Sequence, residues 1–177
     1  SYVNKTDGNC NAYYNGDVNF FAKSGNCNNT AEIADVNYHE WGHGFHYYSV
    51  AIGGGIVDGS VGEGVSDVVS ILQTRDPIMA RYFFTNGNGI RTANNARRYP
   101  EDLVNEVQAD GTIFSGAIWD LLKIFATEMT EDEAYDLVSS LTAGMLKGGP
   151  ALDSTWDEII VADDDDGNLA NGTPHYC

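Results

Sequence analysis

The chain has 177 residues, 42% of them hydrophobic, which is enough to bury one core unaided, and a single domain over 1–177 is expected. Nine Lys and Arg against 26 Asp and Glu leave a net charge of −17, which excludes a nucleic-acid binder because phosphate backbones are held by clustered cations. No run of about 18 apolar residues is present to span a bilayer, and "SYVNKTDGNC" has neither an initiating Met nor a hydrophobic leader, so a mature or excised chain is expected.

Residues 1 to 30 are polar, rich in Asn, Gly and Tyr, and read as a β-hairpin with loops. Cys10 and Cys27 bracket "NAYYNGDVNFFAKSG", which alternates as paired strands do and carries its turn signal at Asn15-Gly16. A disulfide closing that hairpin is expected, and with it an oxidising, extracellular compartment. Cys177 is then the odd thiol. From Glu32 to about Val50, the positions Ile33, Val36, Tyr38 and Trp41 mark one helical face, and "HEWGHGFH" supplies the polar positions. A Gly-rich loop, "IGGGIVDGSVG", follows. Val65, Val68, Val69 and Leu72 then recur at helical spacing, so a second helix is expected to start near Glu63. Turn residues fill "TNGNGIRTANNARRYPEDL". "GTIFSGAIWDLLKIFATEM" reads as an apolar helix, "TEDEAYDLVSSLTAGMLK" as another opened by a capping box, and the tail "DDDDGNLANGTPHYC" as loop.

The chemistry concentrates in "HEWGH" at 39 to 43. On a helix, residues four apart share a face, so His39 and His43 can point two imidazoles at one metal with Glu40 beside it. A catalytic zinc takes three protein ligands and keeps a fourth position for water. Glu63 is the candidate third ligand, with Asp67 one turn behind it on the same face. Asp67 is expected to accept from the second ring nitrogen of His39 or His43, fixing its tautomer. The alternative with a third histidine six residues past His43 fails, because that position is Ser49. His46 reads as a surface histidine or as support behind the ligands.

With these residues in place, the chain resembles the thermolysin-like zinc peptidases, and most nearly their fungalysin-type members. The 19 residues between His43 and Glu63 match thermolysin spacing, and "GSVGEGVSD" is similar to the third-ligand segment. "NAYYNG" resembles the edge strand along which a substrate peptide lies, which implies backbone binding at Asn11 and Ala12. "IRTANNARRY" resembles the segment whose arginine holds a substrate carbonyl, which implies that role for Arg91. The resemblance implies an α+β fold of the zincin-like kind, with an N-terminal β-hairpin edge, a mostly helical remainder and the zinc site in the cleft between. It also implies a secreted, monomeric endopeptidase that acts on peptides or proteins, with Glu40 as the base for the attacking water.

The chain departs from that pattern in "EVQADGTIFSGAIWDL", where Gln108 occupies the position of an expected histidine ahead of a helix. A Gln amide donates a neutral hydrogen bond but carries no charge. The tyrosine that assists the same oxyanion in thermolysin falls, by counting, at Gly54. His175 in "NGTPHYC" is the other candidate for the oxyanion. "ADDDDGN" at 162 to 168 clusters carboxylates in a turn and is a candidate calcium site, since calcium favours such oxygen groups. The rival reading from another class is a catalytically weak or inert zinc- and calcium-binding module on the same scaffold. With so negative a chain, basic substrates are expected to be attracted.

Overall fold

A computed structural model describes residues 1–50 and 54–175. Part of the expected Gly-rich loop, and Cys177, lie outside the described residues. The architecture is α+β, as expected.

Three short strands open the chain: β1 (Tyr2–Lys5), β2 (Ala12–Tyr14) and β3 (Val18–Phe21). The hairpin forms about Asn15-Gly16, with Ala12 opposite Phe20 and Tyr14 opposite Val18. Gly16 takes φ +102°, a conformation that glycine supplies without a steric penalty. β1, which was not separately expected, joins the far side of β3 in parallel, giving the order β1-β3-β2 and leaving β2 at the sheet edge. Phe20 and Cys27 bury against Ile33, Val36, Ala80 and Phe83 to form a small core under this sheet.

The disulfide joins Cys10 to Cys27, with Cα atoms 5.3 Å apart and a sequence separation of 17. It anchors the residue from which Asn11 and Ala12 run along the sheet edge. Reduction is expected to cost about 3 kcal/mol, the loss for a closed loop of this length. Urea unfolding with and without reductant measures the loss, and two additional titratable thiols on reduction identify its source.

Helix α1 (Ala34–Ser49) carries the HEWGH segment within the span expected for it. α2 (Gly59–Thr74) begins four residues ahead of the expected Glu63, because Asp58 caps it, accepting from the Ser60 amide at 2.7 Å and from the Val61 amide at 3.3 Å. Glu63 therefore stands in the second turn and does not open the helix. The two helices touch backbone to backbone: a Cβ on Gly42 would lie 2.7 Å from the Ser66 Cα. Only glycine fits there, so the histidine-bearing helix lies directly on the helix that carries Glu63 and Asp67.

A two-stranded ribbon follows, β4 (Ile78–Met79) with β5 (Arg91–Thr92), and it sets Met79 opposite Arg91. The segment "TNGNGIRTANNARRYPEDL", read from sequence as loop, thus contains a strand at Arg91. Helix α3 (Val107–Glu128) starts four residues before the expected Gly111, since Glu106 caps the amides of Gln108 and Ala109. α4 (Glu131–Met145) has the expected capping box between Thr130 and Glu133. α5 (Thr155–Asp163) was not expected; within it only Ile159 is buried, which leaves little periodicity to read. Val65 and Val68 of α2, Phe114 and Ile118 of α3, and Val138 and Leu141 of α4 meet in the main core. No helix among the described residues is long and apolar enough to cross a membrane.

Candidate functional site

The site is built on the contact between α1 and α2. His39 and His43 project from one face of α1, with ring centroids 4.7 Å apart and planes at 89°. The Glu63 carboxylate approaches both: Oε2 lies 3.4 Å from His39 Nε2 and Oε1 lies 3.6 Å from His43 Nε2. Ligand-capable atoms of these three residues all fall within 4.8 Å of one another. Two imidazoles and one carboxylate form a donor set suited to zinc, and the three elements of that set already converge on one point.

Asp67, 1% exposed, stands behind the histidines. Its Oδ1 lies 2.9 Å from His39 Nδ1, an ion-pair contact in which the ring N–H is not aligned for a linear hydrogen bond. His39 is therefore the histidine that Asp67 serves, and its Nε2 is the nitrogen turned toward Glu63. Arg91, delivered by β5, grips Asp67 with Nε and Nη2, both at 2.7 Å, and reaches Glu63 Oε2 from Nη2 at 3.3 Å. Sequence gave Arg91 only a substrate-holding role; two of its nitrogens instead hold the carboxylates behind the site.

The charges respond to this packing. Burial disfavours a charged His39, but Asp67 and Glu63 outweigh it and raise the pKa to about 9. Burial, together with the charge of His39, pushes His43 down to about 4. Burial would raise the Glu63 and Asp67 carboxyls, yet hydrogen bonding to His39 and the charge of Arg91 hold both below their ordinary values. Glu40 is the exception: burial raises it to about 7, and its Oε2 is buried with no hydrogen-bond partner. The site thus stabilises positive charge at the histidines and keeps one carboxyl nearby ready to exchange a proton.

These side chains form one wall of a cleft of about 690 Å³. Asn11 and Ala12 line it from the sheet edge, Arg91 from β5, and Gln108 from the second residue of α3. Gln108 is exposed and lies inside the first turn of its helix, not ahead of it as expected. The apolar wall includes Val36, Met79, Ala80 and Phe83. Tyr14 and Tyr47 also line the cleft, although nothing singled them out in sequence. The signal for Tyr47 was present, since it follows His43 by four residues on a helix.

Two expectations about histidine fail to meet this cleft. His175 is not among the residues lining it: its Nδ1 lies 2.6 Å from Asp163 Oδ1 at the end of α5, and its ring packs edge-on to Phe125 of α3. The expected oxyanion role for His175 is thereby corrected to a tie between the tail and two helices. His46 is 1% exposed, not a surface histidine, and faces α2 where a Cβ on Gly62 would lie 3.2 Å from its Nδ1. Gly54 lies with φ +66° against Tyr47. In the tail, Asp164, Asp165 and Asp166 bring carboxylate oxygens within 4.8 Å of one another, and Asp164 Oδ1 is buried without a partner.

No family model matches the chain, and no curated protein matches it.

Proposed function

We propose that the chain is a zinc-dependent endopeptidase of the thermolysin-like, fungalysin-type kind, with a zincin-like fold. The observation that carries this reading is the convergence of His39, His43 and Glu63 beside a buried, partnerless Glu40 in an open cleft. Zinc held by these three residues supplies a Lewis acid that lowers the pKa of water and polarises a carbonyl. Glu40 Oε2 takes the proton of the attacking water and returns it to the leaving nitrogen, a role that suits a carboxyl with a pKa raised to about 7. The free edge of β2, beginning at Asn11 and Ala12, pairs with the extended backbone of a peptide. Arg91 fixes Asp67 and Glu63 through Nε and Nη2, which leaves Nη1 to face a substrate carbonyl. Gln108 contributes a neutral amide donor at the cleft entrance. The disulfide fits a secreted protein, and the Asp164–Asp166 turn fits calcium.

Cleavage of unstructured peptides is expected to stop when a chelator strips the protein and to return with zinc. Calcium added to the stripped protein is expected to raise its thermal midpoint without restoring cleavage; an unmoved midpoint removes calcium from the reading. Zinc-loaded protein that cleaves no peptide in a broad library would replace the peptidase with the non-catalytic zinc-binding module.

A further inference from the structure

The proposed chemistry places negative charge on the carbonyl oxygen of the substrate, and its rate depends on donors already aimed at that oxygen. Gln108 offers one, from an exposed side chain. A second is available on α1 itself. Tyr47 follows His43 by four residues and His39 by eight, so the three project from one side of the helix, and all three line the cleft. Helical side chains lean toward the N-terminus, which carries the phenol back over the turn that holds His43.

The ring is also held in place. The Gly55 amide donates to the Tyr47 carbonyl oxygen at 3.0 Å. Gly54 lies against the ring, where an added Cβ would stand 3.7 Å from Tyr47 Cε1. Tyr48 meets the ring edge-on, with centroids 5.1 Å apart. Tyr47 is nonetheless 42% exposed, and among the described residues its hydroxyl makes no hydrogen bond. The other phenol nearby, Tyr14, is placed differently: its ring lies on Gly44, where a Cβ would be 3.1 Å from Cζ, and its hydroxyl turns to Tyr48.

Granted the proposed peptide cleavage, we infer that Tyr47 is a catalytic residue whose phenol O–H donates to the developing oxyanion, and that Tyr14 is a brace. Donation to a charge that exists only in the transition state lowers kcat and leaves substrate binding nearly untouched. Tyr47→Phe, which removes one oxygen, is expected to lower kcat by about 10²-fold with KM little changed. Calorimetric titration gives a second readout. A phosphinic peptide, whose tetrahedral centre imitates the transition state, is expected to bind the variant weaker by the same factor, while a product dipeptide binds as it does to wild type.

Equal weakening for both ligands would make Tyr47 a wall of the cleft and overturn the inference. So would an unchanged kcat, or a loss that appears in Tyr14→Phe and not in Tyr47→Phe. Thermal midpoints of both variants close to that of wild type establish that the comparison is between folded proteins. Zinc-loaded wild type that neither cleaves peptide nor binds the phosphinic ligand would take down the peptidase reading with the inference. Cleavage that is insensitive to Tyr47 takes down the inference alone.

Discussion

Glu40→Gln is expected to lower peptide turnover by about 10²- to 10⁴-fold, the range for removing a positioned general base. The substitution preserves shape and removes only the ability to take a proton. Glu40 Oε2 is buried with no partner, so no structural bond is broken by the change. Burial is the main cause of its raised pKa, and an amide is easier to bury than a carboxylate, so the variant is expected to unfold at the same temperature or slightly above wild type. Zinc content should be unchanged, because the converging donor atoms belong to His39, His43 and Glu63. Metal analysis, thermal unfolding and single-peptide kinetics on the same preparation test all three points. Turnover within threefold of wild type, in a folded and zinc-loaded variant, would remove Glu40 from the chemistry.

Asp67→Asn is expected to have the largest effect on stability, about 3–5 kcal/mol, as when one partner of a buried ion pair is removed. Asp67 is 1% exposed and receives two bonds of 2.7 Å from Arg91, besides its contact with His39. An asparagine keeps the volume but leaves the guanidinium with only Glu63 to balance it. Its amide also no longer favours one tautomer of His39, so zinc affinity is expected to fall by about 10- to 100-fold. Urea unfolding of the metal-free proteins isolates the first effect, and competitive zinc titration the second. A loss of stability without a loss of affinity would mean that Asp67 serves only Arg91.

The metal-binding set was legible because it follows from periodicity. His39 and His43 share a helical face by their spacing, and Asp67 stands one turn behind Glu63 for the same reason. The start of α2 was not legible, since Asp58 reads as a loop acid until its carboxylate is seen accepting from Ser60 and Val61, and Gly59, Gly62 and Gly64 all lower helix propensity. The partners of Arg91 were hidden for a different reason. They depend on a two-residue ribbon whose pairing joins positions 79 and 91, and no local pattern announces so short a strand. His175 misled because a histidine in a loop carries no sign of which surface the loop covers. The α+β class was readable from the alternating start and the periodic remainder, whereas β1 and α5 had too few buried positions to show a period.

The backbone contact at Gly42 and Ser66 divides the molecule in a way that bears on how it can evolve. The four residues that gather the metal and its support, His39, His43, Glu63 and Asp67, all belong to the two helices joined there. The residues facing the rest of the cleft come from outside that pair: Asn11 and Ala12 from a sheet edge, Arg91 from a ribbon, Gln108 from the tip of α3. Substitution in these outlying pieces can retune which peptides are accepted while the helix pair stays intact. The reverse does not hold, since any side chain at position 42 would separate the ligands themselves. Variation among descendants of this sequence is therefore expected to collect at the cleft rim and to spare Gly42.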